Sequence, residues 1–165
     1  MTLRTIKLLL VFGVAFLYSL VVFNNITDYD SNYQFVRHVM MMDTTFPGNH
    51  GMWRAINSPT LHTIFYLSII AAEALTMLLC WWGGFRMAQA MNKSVSAFHH
   101  AKRVAILGLT LSLLTWLVAF LSVGAEWFLM WQSKTWNGQD AGLRMFIVIG
   151  IVLLLVVQPE AQDQP

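Results

Sequence analysis

Charge is scarce in this chain. Asp, Glu, Lys and Arg make up 11% of the residues against 57% hydrophobic, which is too little polar surface to cover that much apolar side chain in water. The net charge of +2 is small, and the basic residues sit beside hydrophobic runs rather than along a polar face, so a nucleic-acid partner is not expected. Cys80 stands alone, so no intramolecular disulfide can form and packing must hold the fold. A glycine-rich phosphate loop, a serine nucleophile elbow and the His-Glu pattern of zinc proteases are all missing. The reading therefore leans away from an enzyme, with no catalytic residue, metal or cofactor assigned.

What is present is four long apolar runs between Leu8 and Val157, and a mean hydropathy of +0.58. Crossing the hydrocarbon takes roughly 20 apolar residues per helix. The chain thus reads as an all-α membrane protein: four transmembrane helices in an antiparallel bundle, with a partly helical outer loop between the first two. One domain is expected over residues 1–158, with spans near 6–23, 60–82, 104–127 and 143–157 and a disordered polar cytoplasmic tail at 159–165. Ser58 before Pro59 predicts a helix N-cap, and Asp140 can cap the fourth helix. Arg4 and Lys7 before the first run resemble a secretory signal, but no small-x-small site precedes Asn24 and Asn25, which predicts an uncleaved first helix.

Orientation follows from the basic residues. Arg86, Lys93, Lys102 and Arg103 lie between the second and third runs with no acidic neighbour, which places that loop, and both termini, in the cytoplasm. The loops at 24–58 and 132–141 carry Asp28, Asp30, Asp43 and Asp140 and face the other side. Trp81 and Trp82 at one edge, with Trp127, Trp131 and Trp136 at the other, fit aromatic belts that anchor helices at both interfaces. In the outer loop Ser31 to Gln34 has a capping-box pattern, and Phe35, Val36, Val39, Met40 and Met42 recur at helical spacing, predicting a short amphipathic helix on the membrane surface that ends near Asp43. A second short helical piece is expected to hold Met52, Trp53 and Ile56.

Three strings carry a family resemblance: Asn24 to Asp30; Phe35 to Met40 with Met42 to Gly48; and Gly124 to Ser133 with Trp136 to Gln139. The chain resembles the bacterial family described as predicted small integral membrane proteins of unknown function, from the first helix to the fourth. The resemblance implies a four-span protein of the bacterial inner membrane. It carries over no activity, cofactor or catalytic residue.

Glu73 lies well inside the second span, where an ionisable group typically costs roughly 2.5 to 3.5 kcal/mol unless paired or protonated. His62, Tyr66, Glu73, Thr76 or Met77, and Cys80 follow three-and-four spacing, a polar stripe that must turn toward protein. In the third span Gly108, Ser112, Thr115, Ala119, Ser122 and Glu126 form a small-residue seam. The two stripes are expected to meet, with Ser112, Thr115 or Ser122 bonding Glu73. The structural reading is interhelical glue. The functional reading makes Glu73, with His62 and Tyr66, a proton-titrating or ligand-binding site.

On the outer side the candidates are Asp28, Asp30, Arg37, His38, Asp43, Glu126 and Arg144. Glu126 and Arg144 are expected to pair and orient the third and fourth helices. Asp28-x-Asp30-x-Asn32 starts like a calcium loop, but Tyr33 and Val39 stand where glycine and a bidentate Glu are needed. His38, His50 and His62 are evenly spaced, and two of them with Asp43 are candidates to converge on zinc or haem iron, against which the commoner role of interfacial histidines as hydrogen-bonding groups weighs. The ten methionines invite a Cu(I) reading, against which adaptable apolar packing weighs more.

The leading functional expectation is an accessory or scaffold subunit whose outer loop offers Phe35, Val39, Met42 and Trp53 to a membrane or periplasmic protein. The alternative is a small-ligand binding or proton-linked transport protein using Glu73. A third is a haem, quinone or metal-linked redox subunit. Partners follow accordingly: the lipid bilayer, and a protein partner or a homo-oligomer through the small-residue seam.

Overall fold

The computed structural model describes residues 3–160, and the chain is all-helical there. Four helices are long and apolar enough to cross a membrane. Helix α1 (Leu3–Thr27) leads directly into α2 (Tyr29–Met41), and a short 3-10 turn (Met52–Arg54) precedes α3 (Pro59–Gln89). Then come α4 (Val95–Ala101), α5 (Arg103–Leu114), a π-helical continuation (Thr115–Trp127) and α6 (Gln139–Val157). The long helices close a ring in which α1 packs on α3, α3 on α5, α5 on α6, and α6 back on α1.

Local chemistry explains most of the limits. Ser58 Oγ accepts the amide of Leu61 at 3.4 Å, with Pro59 at the first helical position, as the missing proline N–H allows. At 31 residues α3 runs roughly 46 Å, well beyond a hydrocarbon core of about 30 Å. The first helix continues past the expected limit because Val22 and Asn25 still bury one face. At α6 the cap position is Gly138, not Asp140, which sits in the first turn and makes no side-chain cap; its charge there still suits the positive end of the helix dipole.

Glycines set how closely the helices approach. A Cβ on Gly83 would fall 2.6 Å from Cα of Ala105, and one on Gly108 would fall 3.0 Å from both Leu79 Cβ and Cys80 Sγ. The backbones of α3 and α5 therefore touch where a larger residue could not fit. Around this contact lies the main core, built on Val11, Ala15, Tyr18, Cys80, Ala105, Leu109 and Ile149.

The third apolar run departs from simple helical periodicity. Over Thr115–Trp127 the helix widens, and the amide of Phe128 reaches back five residues to Val123 O at 3.0 Å. The wider turn changes which residues face inward. The seam holds through Gly108 and Ser112, then shifts to Trp116, Gly124 and Ala125, leaving Ser122 and Glu126 exposed.

Helix α2 differs from the surface helix that the pattern predicts. It begins two residues before Ser31, and Ser31 Oγ donates to Asp28 Oδ1 at 2.9 Å instead of closing a capping box. Val39, Met40 and Met42 join Ala125, Phe128 and Met130 in a second core. Met42 takes a left-handed conformation, φ 53°, and its amide bonds Val39 O at 3.2 Å, ending the helix. The residues expected to face a partner thus bury against this chain's own third span, and of them Trp53, 75% exposed, remains open. Among the tryptophans, Trp82, Trp127 and Trp131 are exposed as an interface belt requires. Trp81 instead turns inward to donate to Ser19 Oγ at 2.9 Å, and Trp136 stacks on His38 at 4.8 Å between centroids.

At the face where the start of α1 meets the end of α6, Lys7 and Lys102 are fully buried and converge on residues just after α6. Lys7 Nζ donates to Gln158 O and Glu160 Oε1, both at 2.6 Å, while Lys102 Nζ reaches the same two atoms at 2.8 and 3.0 Å. Glu160 is therefore tied down, in contrast to the disordered tail expected from Pro159 onward; the rest of that tail, 161–165, lies outside the described residues. Burial pushes the Glu160 carboxyl up, but the hydrogen bonds and charges of both lysines outweigh it and hold the group below its usual value.

Candidate functional site: the Glu73 chamber

The stripe on α3 turns inward, burying His62, Tyr66, Glu73, Thr76 and Cys80. Glu73 is 4% exposed. Its partner comes from α1: Asn25 Nδ2 donates to Glu73 Oε2 at 2.6 Å. Asn25 is itself fixed, since Asn32 Nδ2 donates to its Oδ1 at 2.8 Å and Tyr66 OH donates to its Oδ1 and its main-chain oxygen, both at 3.2 Å. Three helices thereby join in one polar network, in which Asn25 is held from both sides.

Polarity spacing pointed Glu73 to the wrong partners. Ser112 pairs with Tyr18 OH at 2.5 Å, Thr115 donates to Leu111 O, and Ser122 donates to Leu117 O. Each hydroxyl is occupied locally or by α1, so none reaches the carboxylate. Tyr18 also accepts from Trp116 Nε1 at 2.8 Å, which pins the first π-helical turn to α1.

The network borders a cavity of about 330 Å³ lined by Asn24, Asn25, Asn32, Tyr66 and Glu73 together with the aromatic side chains of Phe35, Trp116 and Phe120. That is within the size range of small-molecule sites, with few polar groups on a mostly apolar wall. Asn24 and Asn32 are exposed, so the polar end of the cavity lies nearest the surface away from Lys7 and Glu160. A second chamber of about 250 Å³ adjoins it, sharing Phe35, Val36, Ile69 and Phe120 and otherwise lined almost wholly by apolar side chains.

Of the three residues predicted for a buried site, Glu73 and Tyr66 meet through Asn25, and His62 does not join them. Its Nε2 bonds Ile56 O at 2.7 Å, clamping the loop before α3. The outer candidates are scattered over separate contacts. His38 Nδ1 pairs with Asp43 Oδ2 at 2.6 Å, Asp30 accepts from Gln34 Nε2 at 3.1 Å, and Arg37 donates to Gln34 Oε1 at 3.2 Å. Asp28 receives Ser31, as described. Among the described residues Glu126 and Arg144 form no ion pair; the π-helical turn leaves Glu126 exposed, and Arg54 Nη1 takes the Trp127 main-chain oxygen at 2.9 Å. No three His, Cys, Asp or Glu side chains gather in metal-binding fashion among the described residues.

Asn25, Asn32 and Trp116 were missed by sequence reasoning. Asn24-Asn25 reads as the polar end of an apolar run, and only the continued helix carries Asn25 inward. A usable signal existed for Asn25, which lies one helical turn beyond Val22 and two beyond Tyr18 on the face that Val14 and Val11 begin.

The helical architecture and four apolar spans define an integral membrane protein. The chain belongs to the family described as Predicted small integral membrane protein (DUF2165), whose sequence model matches residues 3–159. No curated protein and no solved structure matches it.

Proposed function

We propose that this protein binds a small ligand in the Glu73 chamber, with the carboxyl exchanging protons with the aqueous side, as a small binding or proton-linked transport protein would. The observation that carries the reading is a buried carboxylate that borders a cavity rather than a close-packed interface. An ionisable side chain kept at membrane depth and facing a cavity is the usual mark of a substrate or proton path. In the orientation favoured by the basic residues, a bacterial inner membrane with cytoplasmic termini, the Asn24 and Asn32 end of the chamber faces the periplasm. The test is infrared spectroscopy of the purified protein in lipid nanodiscs. A carboxyl band abolished by Glu73→Gln should respond to the change from acidic to alkaline buffer; a band that never moves overturns the reading.

The accessory-subunit reading keeps one supporting observation. Trp53 packs edge-on to Trp127 at 5.8 Å with Arg54 beside both rings, and all three lie at the outer rim. Such a rim also suits lipid headgroups. Crosslinking from Trp53 that captures a single defined protein in native membranes would favour the partner; lipid-only adducts would remove it.

A further inference from the structure

The ion pairs formed by described residues are those of Lys7 and Lys102 with Glu160 and of His38 with Asp43. Among the described residues Glu73 consequently has no cationic partner, and Asn25 is its hydrogen-bond donor. The titratable groups near it are phenols, Tyr18 from α1 and Tyr66 from α3, with Tyr29 of α2 edge-on to Tyr66 at 4.8 Å and Asp28 acting on Tyr66 from the outer end. The third span lines the site with Trp116 and Phe120, neither of them charged.

The same chamber has an aromatic wall. Trp116 and Phe120 have centroids 4.4 Å apart, and Phe35 stacks on Phe120 at 6.4 Å. Aromatic faces attract cations, most strongly where water is excluded, and an unpaired carboxylate adds the opposite charge. Phe35 and Phe120 of this wall also line the apolar chamber, whose lining includes Phe65 and Val118, exposed at 40% and 50% on the outside of the helices where lipid would lie. A polar end with one negative charge, adjoining an apolar end beside lipid, matches a molecule of the same two halves.

We propose that the paired chambers bind a lipophilic organic cation, with a protonated or quaternary amine head against Glu73 and the aromatic wall, and an apolar body in the second chamber. The proposal rests on the ligand-binding reading above and narrows it to a chemical class. Cation and proton then compete for one carboxylate, so each excludes the other.

The experiment titrates decyltrimethylammonium into the protein in zwitterionic nanodiscs, with decanol and tetramethylammonium as controls and empty nanodiscs subtracted. Saturable binding of decyltrimethylammonium is expected, weakening about tenfold per pH unit once protons occupy the carboxyl. Glu73→Gln should abolish binding and its pH dependence, while Glu73→Asp, if the Gln variant does not fold, should retain weaker, pH-dependent binding. Ala119→Phe, which fills the apolar chamber, should weaken decyltrimethylammonium far more than tetramethylammonium. Decanol binding as tightly as the cation, or cation binding unchanged in Glu73→Gln, overturns the proposal. If the carboxyl band still responds to pH in that case, the broader reading survives; if the band is also inert, both fall.

Discussion

Asn25 and Glu73 are 48 residues apart in sequence and 2.6 Å apart in space, and their hydrogen bond ties the end of the first span to the middle of the second inside a cavity wall. The bond also orients the carboxylate, since Asn25 is locked in turn by Asn32 and Tyr66.

Removing that donor should cost more than neutralising the acceptor. Asn25→Ala strands a buried carboxyl oxygen, for which about 1 to 3 kcal/mol of destabilisation is expected. Glu73→Gln should cost less, because the amide oxygen still accepts from Asn25. The double variant should show a coupling of roughly 0.5 to 3 kcal/mol in reversible unfolding from mixed micelles. Strictly additive effects would mean that the two residues do not act together.

The glycines offer a graded series. Gly83→Ala drives a methyl group onto the Ala105 backbone, and overpacking of this kind costs typically about 1 to 3 kcal/mol. At Gly84 the obstacle is the Phe12 ring, 2.6 Å from the added carbon, and a side chain can turn aside. Nothing lies within 4 Å of the position at Gly13, so Gly13→Ala should be neutral or stabilising by up to about 1 kcal/mol from helix propensity. Thermal unfolding in detergent should rank the variants Gly83, Gly84, Gly13 from least to most stable. A different order would show that α3 and α5 do not meet at Gly83.

The clasp at the other face predicts a pH dependence. Glu160 is held below its ordinary value of 4.5, against the opposing pull of burial, by Lys7 and Lys102. A carboxyl lowered in the folded state stabilises the fold above its unfolded value, and that contribution disappears as pH falls through the folded one. At neutral pH Glu160→Gln leaves two buried ammonium groups without their counter-charge, for a loss of about 3 to 5 kcal/mol typical of breaking a buried pair. In strongly acidic buffer, where the native carboxyl is protonated too, the two proteins should converge. A difference independent of pH would assign the clasp to the Gln158 main-chain oxygen rather than to the Glu160 charge.

Much of the candidate site was legible because burial repeats along one helix. His62, Tyr66, Glu73 and Cys80 share a face of α3 by spacing alone, and that face is buried. The same logic failed in the third span, where it assumed ordinary helical periodicity through residues that wind as a π-helix, so Trp116 was missed and Ser122 and Glu126 were placed inward. It failed again at α2, whose apolar stripe suits a lipid surface or another helix equally well; a moment says that a face is apolar but not what covers it.

The sequence by itself determined that this protein lives in lipid, that four helices cross it, and that a carboxylate in the second must turn away from the acyl chains. Those conclusions need only composition, run length and the cost of charge in hydrocarbon, all of them local or additive along the chain. Tertiary structure alone decided that Asn25 meets Glu73, that α2 closes over the third span, and that Lys7, Lys102 and Glu160 converge. These are pairings between distant residues, chosen by how rigid helices of particular lengths and glycine-set spacings fit together, and one chain's periodicity carries no record of its partner's rotation.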